Sequence, residues 1–152
     1  MKKSETKTQT VSVELKSVKF HDGMDGIGFN ATLFINGTKT ADLHDAGYGA
    51  IVYDVRYIYN DENWKLFQDV ADAQNDDESH WPKWQDVVDQ LLVIAEQKNS
   101  TRKVLFLRNG VYYTFNKIYK KSDHLFWQSL LETKYAGARL ISGNPISVEL
   151  GM

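Results

Sequence analysis

Two Asn-Gly dipeptides, Asn36-Gly37 and Asn109-Gly110, constrain this chain more than any other feature. Each sits between runs in which apolar residues recur at every second position. Asn and Gly both tolerate the left-handed backbone of a tight turn, so such a dipeptide signals a β-hairpin. Before the first turn, Ile27, Phe29, Ala31, Leu33 and Ile35 face one way; "TKTADLHD" is the returning strand. A strict two-residue loop pairs Ile35 with Thr38 and puts Ala41 and Leu43 on the wrong face. One more residue in the loop pairs Leu33 with Ala41 and Ala31 with Leu43. We expect the longer loop, because burying the whole face outweighs a preference for turn type.

The run "VSVELKSVKF" at 11–20 also alternates, but its phase slips between Leu15 and Val18. A bulge near Lys16-Ser17 returns Val18 and Phe20 to the face of Val11, Val13 and Leu15. The glycines that follow raise a different reading. Gly26-Ile27-Gly28-Phe29-Asn30-Ala31 fits the G-x-G-x-x-A form of a dinucleotide loop, with Asp45 about where a ribose-binding acid would sit. Such a loop must feed a helix whose N-terminus holds the pyrophosphate. Here the glycines feed a strand closed by a hairpin turn, so the context rejects the cofactor, and no cofactor is expected.

"VYDVRYIY" reads as a further strand. Residues 61–73 switch to helical spacing, with Trp64, Phe67, Val70 and Ala71 on one face and Asn60 or Asp61 as cap. A second helix starts near Pro82, with Trp84, Val87, Val88, Leu91, Leu92 and Ala95 as its stripe. In the second hairpin, a two-residue loop puts Val104, Phe106, Tyr113 and Phe115 on one face and Leu105, Leu107 and Tyr112 on the other. Apolar groups on both faces predict a central pair. A third helix follows Ser122 or Asp123, carries Trp127, Leu130, Leu131 and Tyr135 inward, and stops at Gly137. The expected fold is α+β: a mostly antiparallel β-sheet with two or three amphipathic helices packed on one face. A single domain at 11–144 is expected between a flexible tail at 1–10 and a C-terminal tail at 145–152; a length of 152 residues suits one domain.

Composition removes several function classes. There is no cysteine, which excludes disulfides, thiolate metal sites and cysteine nucleophiles. No apolar run approaches the roughly 20 residues of a membrane-spanning helix. "MKKSETKTQT" has no apolar stretch behind its basic start, so it is not read as a secretory leader, and a cytoplasmic location without membrane contact is expected. The net charge of −2 hides a polarity: residues 41–99 carry 13 acids and 4 bases, whereas residues 100–144 carry 8 bases and 2 acids. Segregation of this kind can mark interaction surfaces.

Candidate chemistry is sparse. Glu96-x-Lys98 after an apolar run, with Asp86 upstream, has the outline of a metal-dependent nuclease site, in which carboxylates hold Mg²⁺ and the lysine steadies water. It continues a helical stripe, however, and its acids share that helix. The acidic run "DAQNDDE" lacks the glycine and glutamate of a calcium loop, and no two histidines have the spacing of a helical zinc site, so no metal is expected. His44, Asp45 and Tyr48 in "DLHDAGYG" are a loop candidate, since a glycine-bearing loop can expose a base beside a carboxylate. With no nucleophile to assign, no catalytic residue is named. Arg102, Lys103, Lys117, Lys120 and Lys121, interleaved with tyrosines, are the candidate surface for nucleic acid or another partner. The hairpin register pairs Arg102 with Lys117 at its open end and leaves Arg108 at the turn.

"FNATLFINGTKTADLHDAGYGA", followed far downstream by "KVLFLRNG", resembles a group of small uncharacterised proteins encoded by bacteriophages and related mobile elements. They share an A-x-L-x-x-(D/N)-G-x-K hairpin, a G-x-G turn and a late LF strand; Ala50 stands where that turn often has a further glycine. The resemblance implies a phage accessory origin, with no activity and no site residues. The expected function is a non-enzymatic binding protein acting on a host or phage macromolecule, with inhibition of a host defence system as one such role. A protein partner leads, nucleic acid is the alternative, and a metal-dependent hydrolase is third. The sequence sets no oligomeric state.

Overall fold

The computed structural model describes residues 10–23, 26–47, 53–74 and 82–151. The chain is an α+β protein of two compact units, Met1–Leu91 with Ser147–Met152, and Leu92–Ile146. The strands form two sheets where one was expected.

The first unit is built on a five-stranded sheet in the order β4-β3-β2-β1-β8. Its strands are β1 (Thr10–Gly23), β2 (Gly26–Ile35), β3 (Thr38–Asp45), β4 (Asp54–Ile58) and β8 (Ile146–Gly151). β1, β2, β3 and β4 pair antiparallel in succession. The expected bulge lies in β1, where the register shifts between Lys16 and Lys19 and Ser17 takes a φ of 55°. Phe20 then pairs with Phe29, on the face that buries Leu15, Leu33 and Ala31.

In the first hairpin Leu33 pairs with Ala41 and Ala31 with Leu43, as expected, but the extra residue is not in the loop. Asn36 (φ 52°) and Gly37 (φ 80°) form a two-residue turn between Ile35 and Thr38. The register shifts only between Leu33 and Phe34, leaving Thr40 as the extra residue, inside β3. Turn type and burial are thus both satisfied. Thr40 is fully buried; its hydroxyl donates to Thr38 O (2.9 Å) and its carbonyl accepts from Tyr59 N (2.7 Å). Asn36 ties the turn to β1: its N donates to Ser12 O and its Oδ1 accepts from Ser12 N, each at 2.9 Å.

Helix α1 (Asp61–Asp72) packs on β1, β2 and β3 through Trp64, Phe67, Val70 and Ala71, the four residues its spacing predicts. Asn60 caps it, accepting from Asn63 N at 3.0 Å. Helix α2 (Lys83–Ser100) adds Trp84, Val87, Val88 and Leu91 to the core of this unit, with the Trp84 ring edge-on to Trp64 at 5.1 Å. Tyr53 links the sheet to this helix. Its ring meets Phe29 at 4.9 Å, its N donates to Gln85 Oε1 at 2.8 Å, and its hydroxyl donates to Asp89.

Residues expected as a C-terminal tail form β8 beside β1. Ile146, Val148 and Leu150 recur at every second position, and burial of Leu150 makes an edge strand of a segment too short to stand out in the sequence.

The second unit holds a three-stranded sheet in the order β6-β5-β7, made of β5 (Lys103–Arg108), β6 (Val111–Ile118) and β7 (Arg139–Leu140). Asn109 (φ 52°) and Gly110 (φ 76°) form the two-residue turn, and Phe106 pairs with Tyr113. β5 is central and buries Val104, Leu105 and Phe106 on its two faces; β6 is an edge strand, not half of a central pair. Helix α3 (His124–Lys134) follows a short 3₁₀ turn at Lys121–Asp123 and inserts Trp127 and Leu131. They join Val104, Phe106 and Leu140 in one core, with Phe115, Leu130 and Tyr135 packed against it. Gly137 (φ 81°) follows the helix.

Two outcomes follow. The opening glycines are strand residues, and Gly28 is needed because the neighbouring backbone is close: a Cβ there would collide with the Asp45 carbonyl oxygen and lie 2.8 Å from Gly47 N. Gly28→Ala should cost about 1–3 kcal/mol in urea unfolding, the usual price of overpacking. The second concerns Asp89. Burial raises its carboxyl above the usual carboxylate range; the Tyr53 hydroxyl pulls it back and the Asp86 charge adds to the rise. A raised acid favours folding below its unfolded pKa, and that contribution is lost as pH rises towards the folded pKa. Asp89→Asn has no such loss, so its melting temperature should gain on that of the native chain as pH rises above about 4.

Candidate anion-binding cleft

The bases of the second unit outnumber its acids by nine to three. Part of that excess surrounds a cleft of about 300 Å³, lined by residues from the end of α2, the start of β5, the end of β6 and the turn after β7. Lys98, Arg102 and Lys103 supply its charge, Tyr119 and Ser142 its hydroxyls, and Leu105 and Ile118 apolar surface; among the described residues no acid lines it.

Each wall has a local cause. Lys98 is in the last turn of α2, where the helix dipole favours a cation. Its ammonium donates to Asn144 O at 2.5 Å, a neutral partner, and burial lowers its pKa. Ser142 is buried and fixes the strand behind Lys103: its Oγ accepts from Leu105 N at 2.7 Å and donates to Lys103 O at 3.3 Å. Tyr119 is held from both ends. Its N donates to Arg102 O at 2.8 Å, and its hydroxyl lies 2.7 Å from His124 Nδ1. Burial raises the Tyr119 phenol, so it keeps its proton and remains a hydrogen-bond donor. Gly143 (φ 76°) makes room for it, since a Cβ there would collide with the Tyr119 hydroxyl and lie 2.9 Å from His124 Nδ1.

Of the five bases expected to form a binding surface, Arg102 and Lys103 line the cleft. Lys117 and Lys120 flank the lining residues Ile118 and Tyr119 in the chain, and Lys121 opens the 3₁₀ turn; all three are exposed. Arg102 does not pair with Lys117. The register shifts by two residues between Leu105↔Thr114 and Lys103↔Ile118, which brings Tyr119 opposite Arg102. Arg108 lies apart, donating from Nε to Ala136 O at 3.2 Å.

Lys98 belongs to this cleft and not to a nuclease site. On a strand Glu96 and Lys98 would share a face, but on α2 residues two apart do not. Glu96 is exposed, Lys98 is half-buried, and Asp86 is nearly three turns back on the same helix. Among the described residues, no three His, Asp or Glu side chains come together in a way that could hold a metal ion.

The His44 candidate also separates. His44 and Asp45 are consecutive residues of β3, so they face opposite sides of the sheet. His44 stands 2.5 Å from Asn30 Oδ1 and stacks on His21 at 5.8 Å; Asp45 accepts from Gly47 N at 3.2 Å. Tyr48 lies outside the described residues. His44 also lines a trough of about 380 Å³ with Lys19, Asn30, Thr32, Asp42 and Arg56. Its charges are mixed, and Asp42 is occupied by Thr32 (3.0 Å) and Tyr59 (2.5 Å).

The chain matches no family model, no curated protein and no solved structure. No helix among the described residues is long and apolar enough to cross a membrane.

Three cations in one cleft repel one another, and a bound anion relieves that repulsion. Inorganic phosphate should therefore raise the melting temperature of the native chain more than chloride of equal ionic strength does. That difference should shrink in Arg102→Gln, whose exposed side chain can be replaced at little cost to the fold.

Proposed function

We propose that this chain is a non-enzymatic binding protein and that its basic cleft holds a phosphate-bearing macromolecule, nucleic acid before any other. The observation that carries this reading is the charge of the lining: Lys98, Arg102 and Lys103, with no acid beside them among the described residues. Lys117, Lys120 and Lys121, exposed and next to the lining residues Ile118 and Tyr119 in the chain, supply further positive charge for a polyanion. Neither candidate set is assembled: Glu96 and Lys98 diverge on α2, and His44 and Asp45 face opposite ways on β3.

A protein partner is the second reading. Leu125 is 81% exposed and Phe126 60%, side by side in the first turn of α3. Large apolar groups so exposed are typical anchors for a partner surface. A role in a mobile element, as inhibitor of a host defence system, would be one use of either mode of binding; it rests on the sequence resemblance alone.

Fluorescence anisotropy with a labelled 20-nucleotide single strand tests the first reading. Binding should be measurable at about 50 mM salt and weaken steeply as salt rises, with a log–log slope of about −0.7 per phosphate contacted. Replacing both Arg102 and Lys103 by Gln should flatten that slope by about 1.4. No binding at about 50 mM salt overturns the reading and leaves Leu125 and Phe126 as the surface to pursue.

A further inference from the structure

We infer that the cleft reads the terminal phosphate of a nucleic-acid strand: a phosphomonoester enters among Lys98, Arg102 and Lys103, and the strand behind it runs over Lys117, Lys120 and Lys121. This rests on the nucleic-acid reading above and specifies which part of the strand is recognised.

Three observations carry it. The first is size. A volume of about 300 Å³ is at the small end for ligand sites. It suits a phosphate with the sugar or base next to it.

The second is charge. An internal phosphodiester carries one negative charge, whereas a phosphomonoester carries about −1.5 to −2 near neutral pH and offers three terminal oxygens. Lys98, Arg102 and Lys103 have no carboxylate partner among the described residues. The doubly charged end group is the better match for three cations. Lys98 gains most, because the partner of its half-buried ammonium among the described residues is the neutral Asn144 carbonyl.

The third is the fixed polar frame. Ser142 holds the backbone at Lys103 and Leu105, and Gly143 admits Tyr119 against His124. When His124 supplies the proton of that hydrogen bond, the Tyr119 hydroxyl keeps its own proton to donate. Lys117, Lys120 and Lys121 are exposed and neighbour the lining residues Ile118 and Tyr119 in the chain, which adds cations outside the lining itself. That favours a strand end over a free mononucleotide.

The test uses the full chain and three internally labelled oligothymidylates of 12 nucleotides: one with a 5′-phosphate, one with a 3′-phosphate, one with neither. One phosphorylated end should bind about tenfold more tightly than the bare strand, as expected for a charge-assisted contact. Lys98→Gln and, separately, the exposed-site variant Arg102→Gln should erase that advantage. Lys120→Gln with Lys121→Gln should instead weaken all three strands alike. Thymidine monophosphate should compete at least tenfold less well than the phosphorylated strand. Equal binding of all three strands overturns the inference but leaves the nucleic-acid reading standing. Competition by the mononucleotide as good as by the strand overturns it in favour of a mononucleotide site. Binding of no strand overturns both.

Discussion

A pleated strand has only two sides, and the whole first unit follows from keeping one of them buried. The apolar positions of β1 and β3 keep step with those of β2 only if each strand takes up an extra residue. β1 does so at Ser17 and β3 at Thr40. A further shift, between Asp42 and Leu43, inserts Arg56 into β4. The insertion at Thr40 also directs the chain that follows. Its carbonyl receives the amides of Tyr59 and Asn60, and Asn60 then caps α1. The helix that covers the sheet is therefore positioned by the residue that corrects the sheet's register.

This logic explains what could be read in advance. The β1 bulge, the pairing of Leu33 with Ala41, and the buried stripe of α1 depend on local alternation or helical spacing, and both are visible in the residues. The position of the extra residue was not. Moving it from the turn to Thr40 leaves every inward residue inward, so burial cannot distinguish the two, whereas left-handed Asn36 and Gly37 favour the short turn. β8 was hidden for a different reason. A short segment becomes a strand only when an unpaired edge is available, and the edge of β1 lies far away in sequence.

The site was legible only in part. Charge segregation pointed to residues 100–144, and Arg102 and Lys103 do line the cleft. The helical stripe that counts against a Glu96-x-Lys98 nuclease motif is visible in the spacing, but that the helix turns Glu96 out and brings Lys98 to the other bases is not. Tyr119, Ser142 and Gly143 carried no signal as separate letters. They meet only because the two-residue shift in β6 sets Tyr119 opposite Arg102, and because Gly143 lacks the atom that would occupy the same space.

That shift in β6 also bears on how the chain behaves in company. An outermost strand invites foreign strands to add to it, and β6 exposes Val111, Tyr113 and Ile118. The irregular stretch before Ile118, together with Lys117, interrupts the even row of backbone groups that a growing fibril would have to copy. The irregularity that builds the cleft wall thus also guards against cross-β aggregation.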